Sequence, residues 1–323
     1  MHGAILDLDS LGAGDLDLSP VLGQPGIRWD LFGSTRPAEL PERLRGAELV
    51  LSNKVRLGRD ALRAAPQLRL VLLMATGTDN VDLEAAAERG IMVCNVRNYA
   101  AASVAEHTLG LMLALARRLP DYLESATDGS WSRSAFFCVH RSPIVELAGR
   151  RLGIVGHGVL GAAVARLAAA LGMEVVLASL PGHAQGPAPW PRMPLDDLLA
   201  ASDLVSLHCP LTPQTRGLIA AREFALMKPG AFLLNTARGA LVDEAALLAA
   251  LRSGRLGGAA LDTLDAEPPA EDSVLIAAAR ELPNLLLTPH VAWASREARQ
   301  RLVSQMGEVI AAFRGGRSLN RVV

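Results

Sequence analysis

Three residues late in the chain are of the types needed for proton-coupled redox chemistry on a keto acid. They are Arg238 in Asn235-Thr236-Ala237-Arg238-Gly239, Glu267 in Asp265-Ala266-Glu267-Pro268-Pro269, and His290 in Thr288-Pro289-His290. A guanidinium is a planar, permanently charged fork that matches a carboxylate. An imidazole can deliver a proton near neutral pH, and a carboxylate within hydrogen-bond reach favours its charged form. A 2-oxo acid presents the complementary groups: a carboxylate to hold and a carbonyl oxygen to protonate. Taken singly, each residue has a plain alternative. Arg238 reads as a turn arginine, Glu267 as a solvated loop carboxylate beside prolines, and His290 as a satisfied strand-end histidine.

The electrons need a carrier, and Gly156-His157-Gly158-Val159-Leu160-Gly161 fits G-x-G-x-x-G. It follows an apolar run at 152–155 and opens a helical run at 161–171, the context a dinucleotide phosphate loop requires. The first glycine makes the tight turn, the second admits backbone close to the pyrophosphate, and the third lets helix and strand pack closely. The helix N-terminus offers unpaired N–H groups to the phosphates. The next strand is expected to end in an acid for the ribose hydroxyls, but the matching position holds Ser179. Ser179 can still hydrogen-bond a ribose, and it removes a carboxylate that would repel a 2′-phosphate. No arginine lies in 180–185; His183 is near and Arg192 is further along. Both NAD(H) and NADP(H) remain open as the cofactor.

The elements that must position these groups alternate between short apolar runs and Ala/Leu-rich runs, which implies parallel sheets. Strands are expected at 4–8, 49–51, 70–74 and 91–94, with helices at 59–65 and 83–89, giving a small α/β substrate domain over 1–97. A long helix covers 101–119 and ends at Pro120. A second series follows, with strands at 152–155, 174–177, 204–207, 231–235, 258–262 and 285–287. Its intervening helices fall at 161–171, 195–200, 220–226 and 244–252. Six strands with crossovers make a doubly wound dinucleotide fold, expected over 98–290. Arg238, Glu267 and His290 all follow strands of this series, on the edge where open parallel sheets place ligands. The amphipathic helix at 295–313 is expected to return to the first domain, so that 291–323 belongs with it. The architecture expected is α/β: two Rossmann-like domains, the cofactor domain inserted into a flavodoxin-like substrate domain, with the site in the cleft between them. The Pro/Gly-rich stretch 181–194 reads as a loop.

Bulk composition agrees. The 323 residues suit two domains, and half are hydrophobic. With 32 Lys+Arg against 33 Asp+Glu, the balance argues against nucleic acid or an anionic membrane as the main partner. Cys94, Cys138 and Cys209 match no zinc or CxxC spacing, so no metal is expected and a reducing, cytoplasmic compartment is the simplest reading. The N-terminus lacks a basic region followed by an apolar signal core, and the longest apolar run, 109–116, is too short to span a bilayer.

As an ordered set, the motifs resemble the D-isomer-specific 2-hydroxyacid dehydrogenase family, and within it the glycerate dehydrogenase or hydroxypyruvate reductase branch. They are Ala75-Thr76-Gly77-Thr78-Asp79-Asn80-Val81-Asp82, the phosphate loop, His208-Cys209-Pro210-Leu211-Thr212, Asn235–Gly239, Glu267-Pro268 and Thr288–His290, and they cover essentially the whole chain. The resemblance implies NAD(P)-dependent interconversion of a small 2-hydroxy acid and its 2-oxo acid. Arg238 would orient the substrate, Glu267 would pair with the histidine, and His290 would donate the proton. Val159 and Leu160 would meet the pyrophosphate through backbone, and Ser179 would occupy the ribose position. Cys209, Pro210 and Thr215 would border the adenosine. Thr236, Ala237 and Asp262 would approach the nicotinamide, Asp262 through its carboxamide. Backbone of Ala75, Thr76 and Gly77 would hold the substrate carboxylate. The long helix and the region 131–141 would form a two-fold homodimer interface.

Other residues carry weaker expectations. Lys54 is a candidate cation at the mouth of the cleft, or simply a loop lysine. Ser103 with Glu106 reads as a capping box at the start of the long helix. His107 reads as a core or interface histidine, and Trp293 as a wall of the substrate pocket or a packing residue. The chain ends at Val323, so the regulatory extension of some phosphoglycerate enzymes is not expected. A different class of function, a dinucleotide-sensing binding module like the corepressors that resemble this family, would keep the same residues without turnover.

Overall fold

The structure is a computed structural model that describes residues 1–180 and 188–323. The chain divides into two compact units, one built from Met1–Ala100 with Ala294–Val323 and the other from Ala101–Trp293. The expected boundaries at 97/98 and 290/291 each fall three residues short of these.

The first unit holds a five-stranded sheet of β1 (His2–Ile5), β2 (Arg28–Leu31), β3 (Leu49–Ser52), β4 (Leu70–Leu73) and β5 (Met92–Cys94). Its order is β2-β1-β3-β4-β5, and every pairing is parallel. β3 and β4 are buried along their whole length. Residues packed on both faces need unbroken apolar sequence, which is why these two strands are legible. β2 is an unexpected addition. Its sequence Arg-Trp-Asp-Leu is polar and half-exposed, as an edge position permits. The helix Arg296–Arg314 belongs to this unit and begins where the Ser295 side chain accepts from Ala298 N. It is tied down by Arg299 to Asp15 at 2.8 Å and by Arg301 Nε to Tyr99 O at 2.9 Å.

The second unit holds a seven-stranded, wholly parallel sheet of β6 (Arg151–Val155), β7 (Glu174–Ser179), β8 (Arg192–Pro194), β9 (Leu204–Leu207), β10 (Ala231–Asn235), β11 (Leu256–Leu261) and β12 (Leu285–Leu287). The order β12-β11-β10-β9-β6-β7-β8 reverses direction between β6 and β9. A crevice opens at such a switch point, outside the carboxyl ends of the strands. Apolar clusters cover both faces of this sheet.

Three local expectations are corrected. The stretch 181–194 is not all loop, because Arg192–Pro194 pairs with Leu177–Ser179 as a seventh strand; three residues are too few to show a period. Residues 181–187, including His183, lie outside the described residues. Pro120 does not end the helical region. The long helix spans Ala101–Arg117, Arg118 turns through a left-handed conformation (φ +52°), and a second helix, Leu119–Thr127, carries Pro120 in its first turn, where no N–H is required of it. Ser103 is not a helix cap, since it lies inside a helix that already starts at Ala101, with its hydroxyl donating to Ala292 O at 2.6 Å. The helix Val274–Glu281 is a further addition. Among the described residues, no helix is long and apolar enough to cross a membrane, and no cluster of metal-binding side chains occurs.

Candidate active site

The phosphate loop connects β6 to the helix Val159–Ala170, which starts two residues earlier than expected and so places Val159 and Leu160 in its first turn. Gly156 has φ +99°, and a Cβ there would stand 2.4 Å from Cys209 N. A Cβ on Gly161 would stand 2.1 Å from Gly156 O. Both glycines are therefore demanded by the protein's own packing, with His208 N donating to Val155 O at 2.7 Å to close the contact. Gly158 differs: no described atom lies within 4 Å of its would-be Cβ, and it precedes the helix with no side chain capping the free N–H groups. Two ring nitrogens beside this loop, His157 Nε2 and His208 Nδ1, are buried with no hydrogen-bond partner among the described residues. An open cradle of backbone donors at a helix N-terminus, at the switch point of the sheet, fits a dinucleotide pyrophosphate.

Around the loop, Ser179 closes β7 opposite Pro194. Cys209 is buried, and burial pushes its thiol up to about 11. Thr215 Oγ1 donates to Pro210 O at 2.7 Å, bracing the turn after Cys209. The buried His208 ring, accepting or donating at 2.8 Å to Ser206 Oγ, has its pKa pushed down to about 4 by burial. Burial, with the nearby Arg192 and Arg166, also lowers that of His157.

The catalytic candidates come from three neighbouring strand ends. After β10, Asn235 Nδ2 donates to Arg238 O at 2.8 Å and its Oδ1 accepts from Ala237 N at 3.0 Å, which shapes the turn that carries the guanidinium. Thr236 Oγ1 sits 3.2 Å from Thr108 Oγ1. Gly239 packs so tightly on the next loop that a Cβ would meet Leu264 C at 1.9 Å. Glycine at 239 thus brings the loop of Arg238 against the loop of Glu267. Glu267 Oε1 accepts from Leu264 N at 2.9 Å, and the Glu267–Pro268 peptide is cis. Glu267 Oε2 lies 2.7 Å from His290 Nδ1. The carboxylate only accepts, so Nδ1 is the proton-bearing nitrogen in this contact, which leaves Nε2 as the nitrogen not engaged by Glu267. Both side chains keep about a quarter of their surface, 26% and 30%. Trp293 Nε1 donates to His290 O at 2.9 Å, so at least its indole N–H serves the loop that carries His290.

Asp262, just past β11, is buried. Its Oδ1 accepts from Thr288 Oγ1 at 2.6 Å and Val291 N at 2.9 Å, and its Oδ2 accepts from Ala292 N at 2.9 Å.

The substrate-side candidates of the first unit are built the same way. The buried Asp7 carboxylate accepts from Asn53 N at 2.9 Å and Lys54 N at 2.7 Å, and Asn80 Nδ2 donates to Val55 O at 3.0 Å, so the loop bearing Lys54 is held on both sides. Ala75 O accepts from Val96 N at 3.0 Å, Thr76 Oγ1 donates to Val96 O at 2.8 Å, and Gly77 continues that turn. Asp7 escaped the sequence reading because an acid after a short strand carries no motif, and its partners lie 46 and 47 residues away.

Residues 109–292 match the model of "D-isomer specific 2-hydroxyacid dehydrogenase, NAD binding domain". The chain is 46% identical over 289 residues, 88% of each protein, to a glycerate dehydrogenase of Methylorubrum extorquens. It is 34% identical to a hydroxypyruvate reductase of Blautia hydrogenotrophica, covering 100% of this chain and 99% of that one. Among solved structures, the TT0316 protein of Thermus thermophilus superposes over the full length of both chains with a TM-score of 0.88 at 38% identity.

Proposed function

Because the chain belongs to the D-isomer specific 2-hydroxyacid dehydrogenase family, we propose that it reduces hydroxypyruvate or glyoxylate to the matching 2-hydroxy acid, with His290 as the proton donor. The observation that carries this reading is the 2.7 Å contact between His290 Nδ1 and Glu267, at the strand edge that also bears Arg238 and the phosphate loop. The cofactor is NAD(H) or NADP(H), and when bound its nicotinamide supplies the hydride.

The protein's own groups do the rest. Gly156, Gly158, Val159, Leu160 and Gly161 hold the pyrophosphate. Ser179 takes the ribose, Cys209, Pro210 and Thr215 border the adenosine, and Thr236, Ala237 and Asp262 face the nicotinamide. Arg238 fixes the substrate carboxylate through a charge-assisted fork, with Lys54, Trp293 and backbone of Ala75, Thr76 and Gly77 as further substrate contacts. His290 delivers a proton from Nε2 to the carbonyl oxygen as negative charge develops there, and Glu267 stabilises the charged ring. In the reverse direction the neutral ring accepts the hydroxyl proton.

The working form we propose is a homodimer in the cytoplasm. Leu123, Trp131, Phe136 and Phe137 expose 67%, 53%, 76% and 91% of their surface within one stretch of the second unit, and large apolar side chains left open together are what a partner surface covers. The three cysteines are free.

A panel of hydroxypyruvate, glyoxylate and pyruvate with NADH and NADPH tests the reading. Hydroxypyruvate is expected to give the highest kcat/KM, and His290→Ala to cut kcat at least about a hundredfold while NADH still binds. Dinucleotide binding without turnover of any 2-oxo acid would reject the enzyme reading in favour of a dinucleotide sensor.

A further inference from the structure

His290 adopts a left-handed backbone conformation (φ +55°), which a residue with a Cβ keeps only when its surroundings hold it there. The surroundings are specific. Asp262 takes the N–H groups of Val291 and Ala292, the two residues that follow His290, one on each carboxylate oxygen. From the helix Ala101–Arg117, Ser103 Oγ donates to Ala292 O at 2.6 Å. One turn later on the same helix, His107 Nε2 stands 3.0 Å from Thr288 Oγ1 and 3.5 Å from Asp262 Oδ1.

Proton counting sets the direction of this chain. A carboxylate only accepts, so the Thr288 hydroxyl spends its single proton on Asp262 at 2.6 Å. The Thr288 oxygen can then only accept, and the proton in the 3.0 Å contact comes from His107 Nε2. The order is His107 to Thr288 to Asp262, and from Asp262 to the backbone beside His290.

We propose that Ser103 and His107, four residues apart on one helix face, are positioning residues that aim the proton donor: they clamp segment 288–292 directly and through Thr288 and Asp262. The inference rests on His290 being the proton donor. Neither Ser103 nor His107 bonds to His290 itself, and both act through the backbone that orients it. Asp262 consequently has a protein-internal task besides the one proposed for it at the nicotinamide.

The test compares His107→Phe with His107→Gln, whose amide nitrogen can replace the Nε2 donor. Three quantities are measured: kcat and KM for the oxo acid, the NADH dissociation constant by fluorescence, and amide hydrogen exchange of the 288–293 segment without cofactor. His107→Phe is expected to lower kcat about tenfold to a hundredfold, the scale of a misplaced catalytic group. KM and NADH affinity should hold within about twofold, and the amides of Val291 and Ala292 should exchange faster. His107→Gln should recover kcat to within about threefold of wild type. Ser103→Ala gives the same direction of effect should His107→Phe not fold. Unchanged kcat and exchange in His107→Phe would overturn the clamp, as would a kcat loss matched by an equal loss of NADH binding. Should the wild type turn over no oxo acid, the functional reading fails, while the exchange rates still decide whether the clamp exists.

Discussion

Glu267→Gln isolates the charge beside the proton donor, because the side chain keeps its shape. In the wild type, one oxygen accepts from Leu264 N at 2.9 Å and the other faces His290 Nδ1 at 2.7 Å. An amide has one oxygen to serve these two donors. If it faces His290, the amide NH2 opposes the Leu264 N–H. If it faces Leu264, the NH2 opposes Nδ1, which must then give up its proton. Either way the charged imidazolium loses a charged partner, an interaction worth about 1.5–3 kcal/mol. At about 1.4 kcal/mol per factor of ten, that range lowers kcat about 10- to 150-fold. Exposures of 26% and 30% admit water and favour the lower part of that range. Steady-state reduction of hydroxypyruvate gives kcat, and fluorescence gives NADH affinity, which should change no more than about twofold since Glu267 is not among the cofactor contacts. A kcat equal to wild type would refute the pairing as a source of catalysis, and weakened NADH binding with intact kcat would move Glu267 to another role.

Other consequences follow from the same geometry. Gly158→Ala should leave the thermal midpoint unchanged, because its Cβ meets no described atom within 4 Å, yet weaken NADH binding at least about tenfold by filling the pyrophosphate cradle; tight binding in that variant would remove position 158 from the site. Gly161→Ala, whose Cβ would stand 2.1 Å from Gly156 O, should instead cost about 1–3 kcal/mol of stability in a denaturant titration. Ser179→Asp should shift the kcat/KM ratio toward NADH over NADPH about tenfold or more through repulsion of a 2′-phosphate, and an unchanged ratio would show that Ser179 does not set the choice. Burial holds His208 at about 4 against an ordinary 6.5, so between those values the unfolded chain binds the extra proton. Stability is therefore full above pH 6.5 and is lost as pH falls toward 4, by an amount on the order of 3 kcal/mol. Denaturant midpoints at pH 7 and 4.5 should fall less steeply in His208→Gln than in wild type, and equal slopes would contradict the assignment.

Much of the fold was legible because its signals are local. Strands such as Leu49–Ser52 and Leu204–Leu207 are buried along their length and read as apolar runs, and the phosphate loop is written in three glycines whose spacing is a steric requirement of one turn and one helix start. Two of the four edge strands were not legible: Arg28–Leu31 and Arg192–Pro194 are short, polar and partly exposed, whereas the other two edges, Met92–Cys94 and Leu285–Leu287, still read as apolar runs. The residue types of Arg238, Glu267 and His290 were readable, but their conjunction was a hypothesis about how loops meet.

That conjunction belongs to tertiary structure. His290 meets Glu267 across 23 residues, Asp262 reaches Ala292 across 30, and His107 reaches Thr288 across 181. Spacing along a chain constrains only neighbours within a turn or a strand, whereas these contacts depend on sheet register and on which helix face lies against which strand end. The sequence by itself determined the parallel α/β architecture and the chemistry available to the side chains. Which nitrogen of His290 faces a carboxylate, and what holds it there, was decided only when the three strand ends and the long helix packed together.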